Sequence, residues 1–266
     1  MHNAALGSLG LPYVYVPFSV EPENLGRALQ SLSALGIVGV NLTIPHKERA
    51  LEFVDEVTDE AREVGAINTV HCLNGRLIAD NTDGAGFCRP LVETGFVVRE
   101  CRAVVLGAGG AARSVLFKLA REGARNIWLV NRSRERADRL AASLYQSGYE
   151  GCDVQVLSSD DSEGVTAALG RADLLVHCTR IGMFPDVDAA PVVPLAALHR
   201  NLFVYDLIYN PIETSLVTEA RRQGCRVLGG AKMLVYQGAA SFQRWTGIWP
   251  PTELMESVVN NSLASK

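Results

Sequence analysis

The stretch "CRAVVLGAGGAARSVLFKLAREG", residues 101 to 123, constrains the fold more than any other part of the chain. An uninterrupted apolar run, Ala103–Leu106, enters a glycine turn, and an amphipathic helical pattern leaves it. A strand with no polar alternation has both faces covered, which is the condition of a strand in a parallel sheet flanked by helices. "NIWLVNRS", "DVQVL", "DLLVHCT", "NLFVYDLIY" and "CRVLGG" repeat the apolar pattern downstream, with helical segments between several of them. The expected architecture there is a doubly wound parallel sheet of the Rossmann type.

The first third of the chain reads differently. "PYVYVPFSV" (12–20) has the β-branched and aromatic content of a strand. Leu25, Ala28, Leu29, Leu32 and Leu35 fall at helical spacing and Gly36 closes the run. "IVGVNL" is a second strand, and residues 48–65 carry Leu51, Val54, Val57, Ala61 and Val64 on one helical face. Strand, helix, strand, helix implies parallel pairing. Asn74-Gly75 marks a hairpin between two further strands. The fold class is therefore α/β with two domains: an N-terminal α/β domain over 1–86, a Rossmann-type domain over 87–229, and C-terminal helices over 230–266 that pack back on the first domain.

The totals exclude several classes. A net charge of -4 argues against a nucleic-acid partner. No apolar run reaches the length of a membrane span, and no basic segment precedes the early apolar stretch, so neither membrane nor export is expected. Six cysteines (72, 88, 101, 152, 178, 225) lie scattered without a CxxC pair, which fits reduced thiols in a cytoplasmic protein. Five histidines show no metal-ligand spacing, and His46 reads as a loop residue, so no metal is expected.

"GAGGAA" (107–112) fits G-x-G-x-x-[GA] through Gly107, Gly109 and Ala112. Between a strand and a helix this is a dinucleotide fingerprint: Gly107 for the tight turn, Gly109 for close approach of a pyrophosphate, Ala112 for helix–strand packing. The helix N-terminus faces the phosphates with free N–H groups. An NAD site carries an acid about 20 residues further on to bond the ribose hydroxyl. Here the position 24 residues after Gly107 is the neutral Asn131, and Arg132, Arg134 and Arg136 follow. Guanidinium groups grip a 2′-phosphate where a carboxylate would repel it, so the expected cofactor is NADP.

"NLTIPHK", "GAINTV" and "DNTDG" all fall at strand ends. They offer Asn41, Thr43, Lys47, Asn68, Asn81 and Asp83. A lysine and an aspartate that converge can move a proton while a nicotinamide moves the hydride. Asn41 and Asn81 read as turn residues bonded to their own backbone.

These strings, with "NTDGAG", "GAGGAA", "NRSRER", "DLIYNP" and "GAKMLVYQ", resemble the shikimate dehydrogenase family in content and order over nearly the whole chain. The resemblance implies NADP-linked, reversible reduction of 3-dehydroshikimate to shikimate in aromatic amino acid biosynthesis, with quinate and aminoshikimate dehydrogenases or a catalytically impaired NADP-binding relative as alternatives. It implies Lys47 and Asp83 as the catalytic pair, without assigning which is the acid. Thr43, Asn68 and Gln237 would bond the ring hydroxyls of an anionic cyclic substrate, and Tyr209 would line the nicotinamide side. Gly107, Ala108, Gly109, Gly110, Ala111, Asn131, Arg132, Ser133, Arg136, Thr179 and Gly230 would hold the cofactor. A monomer or homodimer is expected.

Three departures stand out. The family usually has a strand and a Ser-x-Ser-Pro segment, which holds the substrate carboxylate, ahead of a stretch like "MHN"; this sequence begins at "MHNAAL", and the favoured reading is a natural start lying upstream. Arg180 stands where a small serine is usual, and Ala79 where glycine is usual.

Overall fold

A computed structural model describes residues 1–191 and 193–264. The chain divides into two compact units, Met1–Phe87 with Val235–Ser262, and Cys88–Leu234.

In the first unit, α1 (His2–Ser8) leads through an irregular segment and a 3-10 turn (Pro22–Asn24) to α2 (Leu25–Gln30). Then come β1 (Gly39–Asn41), a second 3-10 turn (Arg49–Phe53), β2 (Glu56–Val57), α3 (Asp59–Val64), and the hairpin β3 (Thr69–Leu73) and β4 (Arg76–Asp80). The sheet order is β1-β3-β4-β2. Leu25, Leu29, Ala61, Ile67, Val70, Leu77 and Ala79 form its core. Asn74 and Gly75 both take positive φ at the hairpin, 52° and 79°, the geometry this dipeptide favours.

Several expectations fail in this unit. Residues 12–20 form no strand. Pro17 withholds an N–H from any ladder, and the N–H and C=O of Tyr15 pair with the side chain of Asn3. Tyr13, Val14, Val16 and Phe18 are left exposed. The single helix expected over 48–65 is broken in two. Asp55 and Thr58 donate their N–H groups to Leu77 and Ala79 of β4, which draws β2 into the sheet between the helical pieces. Thr58 then caps α3 by accepting from the N–H of Ala61. The sheet is mixed: β2 pairs parallel with β4, whereas β1 and β4 both run antiparallel to β3. Leu35, counted in the helical run, lies beyond the end of α2 and is exposed.

The helix α4 (Asp83–Glu93) leads toward the second unit, which holds β5 (Arg102–Leu106), α5 (Gly110–Arg121), β6 (Asn126–Asn131), α6 (Arg134–Gln146) and β7 (Asp153–Ser158). It continues with α7 (Ser162–Leu169), β8 (Leu174–His177), β9 (Phe203–Asp206), α8 (Ser215–Arg222) and β10 (Arg226–Gly229). All of its strand pairs are parallel, in the order β10-β9-β8-β5-β6-β7. That is the doubly wound arrangement, whose order reverses between β5 and β8. Val104, Leu106, Val130, Leu169, Leu175 and Val204 sit at its core with essentially no exposure. The chain ends in α9 (Gly230–Thr246) and α10 (Thr252–Ala264).

Candidate active site

Register gathers the polar strand ends of the first unit. Asn41, Thr69 and Asp80 lie side by side across β1, β3 and β4. Because β3 runs against the other two, Asn68 just before it shares an edge with the residues just after β1 and β4. Lys47 follows β1 and Asp83 follows β4, so both reach that edge. The Lys47 carbonyl accepts from the N–H of Ile67, and the Asn68 carbonyl accepts from the N–H of Leu42 and from Asn41 Nδ2. Asn81 Oδ1 accepts from the N–H of Asp83, an Asx turn that starts α4, and its Nδ2 donates to the Ala66 carbonyl.

At the meeting point Lys47 Nζ donates to Asp83 Oδ2 at 2.6 Å, with side chains 19% and 7% exposed. Asn68 Nδ2 donates to the other carboxylate oxygen at 2.8 Å and reaches Gln237 Oε1 of α9 at 3.2 Å. Asn68 Oδ1 accepts from the N–H of Thr82 at 2.8 Å, which fixes the amide's orientation. A carboxylate bonded on both oxygens and an ammonium still open to solvent on one side make a rigid proton-handling pair with room for a ligand atom.

Of the residues singled out from the sequence, this edge brings together Lys47, Asp83, Asn68 and Gln237. Thr43 shares the Lys47 loop but is exposed. Tyr209 lies in the second unit, 40% exposed after β9. Asn41 was assigned to its own turn and is instead a cross-link: its Nδ2 reaches Asn68, Thr69 and Ser241. Thr69, Thr82 and Ser241 were not foreseen. Their hydroxyls form a buried cluster beneath Asn68, with Thr69 and Ser241 oxygens 2.7 Å apart. Ser241 sits one helical turn from Gln237, a spacing that carries no signal by itself. Gly86 was overlooked inside "NTDGAG": a Cβ there would stand 2.6 Å from Gln237 Cβ and 2.7 Å from its backbone nitrogen. Only glycine lets α4 lie that close to α9.

In the second unit the fingerprint turn sits where the strand order reverses, the position at which open α/β sheets bind ligands. Gly107 has φ +107°, and a Cβ on it would meet Thr179 Cγ2 at 3.2 Å. Gly109 precedes α5 with no side chain capping the helix, and a Cβ there would meet nothing within 4 Å. Ala112 is fully buried against the sheet. Gly109, Gly110 and Ala111 are partly open, as is Ala108 ahead of them. Asn131 ends β6 and donates from Nδ2 to the Ser133 carbonyl at 2.8 Å, holding the turn that presents Arg132 and Arg136. Arg132 and Arg136 are both exposed, and neither forms an ion pair among the described residues, whereas Arg134 faces Asp138 at 3.7 Å. A Cβ on Gly230 would fall 2.2 Å from the Leu207 carbonyl oxygen, so the start of α9 can touch that loop only as glycine. An open helix N-terminus followed by two uncompensated cations fits a pyrophosphate and a 2′-phosphate. Cys101, Cys152 and Cys178 are held as thiols and do not compete as nucleophiles. Burial pushes Cys101 up to about 12 and Cys152 to about 11, and raises Cys178 as well.

Residues 1–70 match the shikimate dehydrogenase substrate binding domain. Residues 91–183 match the shikimate/quinate 5-dehydrogenase family, and residues 230–259 the shikimate 5'-dehydrogenase C-terminal domain. A shikimate dehydrogenase (NADP(+)) of Methanopyrus kandleri is 47% identical over 97% of this chain and 89% of its own. The chain belongs to the shikimate dehydrogenase family. The corresponding protein of Moorella thermoacetica is 43% identical over 100% of this chain and 88% of its own. Among solved structures, a shikimate dehydrogenase in complex with NADP+ superposes with a TM-score of 0.91 at 39% identity, covering 98% of this chain and 89% of that one. The enzyme of Thermus thermophilus, in complex with NADP(H) and shikimate, gives 0.86 at 36% identity, covering 98% and 93%. A quinate dehydrogenase of Corynebacterium glutamicum in complex with NAD gives 0.89 at 28% identity, covering 98% and 93%. Among the described residues no helix is long and apolar enough to cross a membrane.

Proposed function

We propose that this family member is an NADP-dependent shikimate dehydrogenase, which reversibly reduces the ring carbonyl of 3-dehydroshikimate to the hydroxyl of shikimate in aromatic amino acid biosynthesis. The observation that carries the reading is the Lys47–Asp83 contact at 2.6 Å with Asn68 bonded to the second carboxylate oxygen. Bound NADPH supplies the hydride. The protein's task is the proton. Lys47, with an open side, hydrogen-bonds the reacting oxygen and gives it a proton as the carbonyl carbon is reduced; in the reverse direction the hydroxyl proton returns to the pair. Asp83 holds the ammonium in place by accepting from it at 2.6 Å. Asn68 locks the carboxylate's rotation. Gln237, and Thr43 on the Lys47 loop, bond the remaining ring hydroxyls, and Tyr209 lines the nicotinamide side. Arg132, Ser133 and Arg136 hold the 2′-phosphate, the turn Gly107–Ala111 with Asn131 holds the rest of the dinucleotide, and Gly230 contributes its backbone. We read the enzyme as cytoplasmic, acting as a monomer or homodimer.

Shikimate outranks quinate because the relatives at 38–47% identity carry the shikimate and NADP(+) name, whereas the quinate enzyme is 28% identical and was solved with NAD. The test is the absorbance of reduced nicotinamide with shikimate or quinate and NADP+ or NAD+ in the four combinations. Shikimate with NADP+ is expected to give the highest kcat/KM. Turnover confined to quinate with NAD+, or none in any combination, overturns the proposal.

A further inference from the structure

At the C-terminal edge of the second sheet a histidine and an aspartate are buried together, and the chemistry above uses neither. His177 ends β8 and Asp206 ends β9, with 4% and 0% of their surface exposed. His177 Nδ1 lies 3.0 Å from Asp206 Oδ1, which also accepts from the N–H of Ile208 at 3.0 Å. Thr214 donates its hydroxyl to Asp206 Oδ2 at 2.6 Å. On the other side of the ring, His177 Nε2 lies 2.7 Å from Thr179 Oγ1, which accepts from the N–H of Ile181 at 3.2 Å.

One proton arrangement of a neutral ring satisfies every contact. A carboxylate only accepts, so His177 Nδ1 carries the hydrogen that points at Asp206. Nε2 is then bare and accepts, so the Thr179 hydroxyl donates to it. Thr179 has thereby used its one donor, and one of its two lone pairs is taken by Ile181. Its methyl group meanwhile faces the fingerprint turn, 3.2 Å from where a Cβ on Gly107 would stand. Thr179 itself is only partly buried.

We propose that His177, oriented by Asp206, is a positioning residue for the cofactor. It holds the Thr179 methyl against Gly107 and leaves the Thr179 oxygen open to a ligand as an acceptor alone. That oxygen then takes an amide N–H or a ribose O–H of the dinucleotide and refuses a phosphate oxygen. The inference rests on reading this edge as the NADP site.

The test combines spectroscopy and binding on the full chain. In the cofactor-free protein, ¹⁵N-resolved NMR should show His177 protonated at Nδ1 and bare at Nε2, and Thr179→Val should shift the Nε2 resonance. An Nε2–H tautomer overturns the proposal without any ligand. NADP+ affinity is then measured calorimetrically for the unmodified chain, His177→Asn, Thr179→Val and the double variant, each checked for native melting. Each single change should weaken binding roughly 5- to 10-fold, and the double no further than the worse single, because one acts through the other. Effects that multiply, or a His177→Asn protein that binds normally, overturn the positioning role. Failure of the unmodified chain to bind NADP+ removes the site reading itself, and the inference with it. If His177→Asn does not fold, the NMR of the unmodified chain and of Thr179→Val decides.

Discussion

Replacing Lys47 by methionine removes one ammonium and keeps most of the side chain's length, so it isolates the charge. Positioned acid–base groups contribute about 10² to 10⁴ in rate. Lys47 is the only cation on Asp83 among the described ion pairs and the proton donor at this edge with an open side, so a fall of about 10³ in kcat is expected, or about 4 kcal/mol of barrier. The stability effect is smaller. Asp83 keeps the Asn68 bond at 2.8 Å but is only 7% exposed, which places the loss between an exposed pair, at most about 1 kcal/mol, and a fully buried one, about 3–5 kcal/mol. With Lys47 itself 19% exposed, about 1–3 kcal/mol is expected in urea unfolding. NADP+ affinity should change by less than about two-fold, because the dinucleotide contacts proposed above come from residues 107 to 136, 179 and 230. Steady-state absorbance with shikimate and NADP+ reads the first quantity, and calorimetry the last. Adding Asp83→Asn to the same chain should cost no more than the worse single change, as groups that act as a unit do. Turnover within about ten-fold of the unmodified chain, or losses that multiply in the double variant, would refute the paired-proton reasoning.

Three further outcomes follow from the geometry. Arg132→Ala with Arg136→Ala removes charge-assisted bonds of about 1.5–3 kcal/mol each, so kcat/KM with NADP+ should fall roughly 10²- to 10⁴-fold while NAD+ use stays nearly level. Gly86→Ala drives a methyl to 2.6 Å from Gln237 and should lower stability by about 1–3 kcal/mol by thermal denaturation, with a raised KM for shikimate. Burial lowers His2 from 6.5 to about 4. Between those values the unfolded chain binds a proton that the folded chain refuses, so His2 costs nothing above about pH 6.5 and removes stability as pH falls. The loss reaches about 3 kcal/mol by pH 4, and the stability gap between the native chain and His2→Leu, measured by urea unfolding, should shift in favour of the variant over that window. A gap that stays constant with pH contradicts the burial argument.

The second unit was legible because its signals are local. Each apolar run of a parallel strand announces itself, and Gly107, Asn131 and Arg132 lie within one strand–helix–strand passage. The first unit was harder, since its strands are short and their pairing is decided by partners far along the chain. Residues 12–20 have the composition of a strand, yet Asn3 takes the backbone groups of Tyr15. Residues 48–65 have helical spacing, yet Asp55 and Thr58 bond β4 instead. Lys47, Asn68 and Asp83 were found because each sits at a strand end in a short motif. Thr69, Thr82 and Ser241 were not, because a hydroxyl gains meaning only from what packs beside it. Asn41 was misjudged for the same reason: its partner Ser241 is 200 positions away.

That separation has a consequence for how the protein is made. The first unit borrows Val235–Ser262 from the far end of the chain: Gln237 meets Asn68, Ser241 meets Thr69, Arg244 meets Asp80 and Trp245 meets the Val70 carbonyl. On the ribosome, the first unit waits, its polar edge uncovered, until the last helices leave the exit tunnel, after the nucleotide-binding half has emerged. A chain released at about residue 234 would therefore carry a finished cofactor unit and an unfinished proton-handling one, and maturation of activity should track release of the final segment.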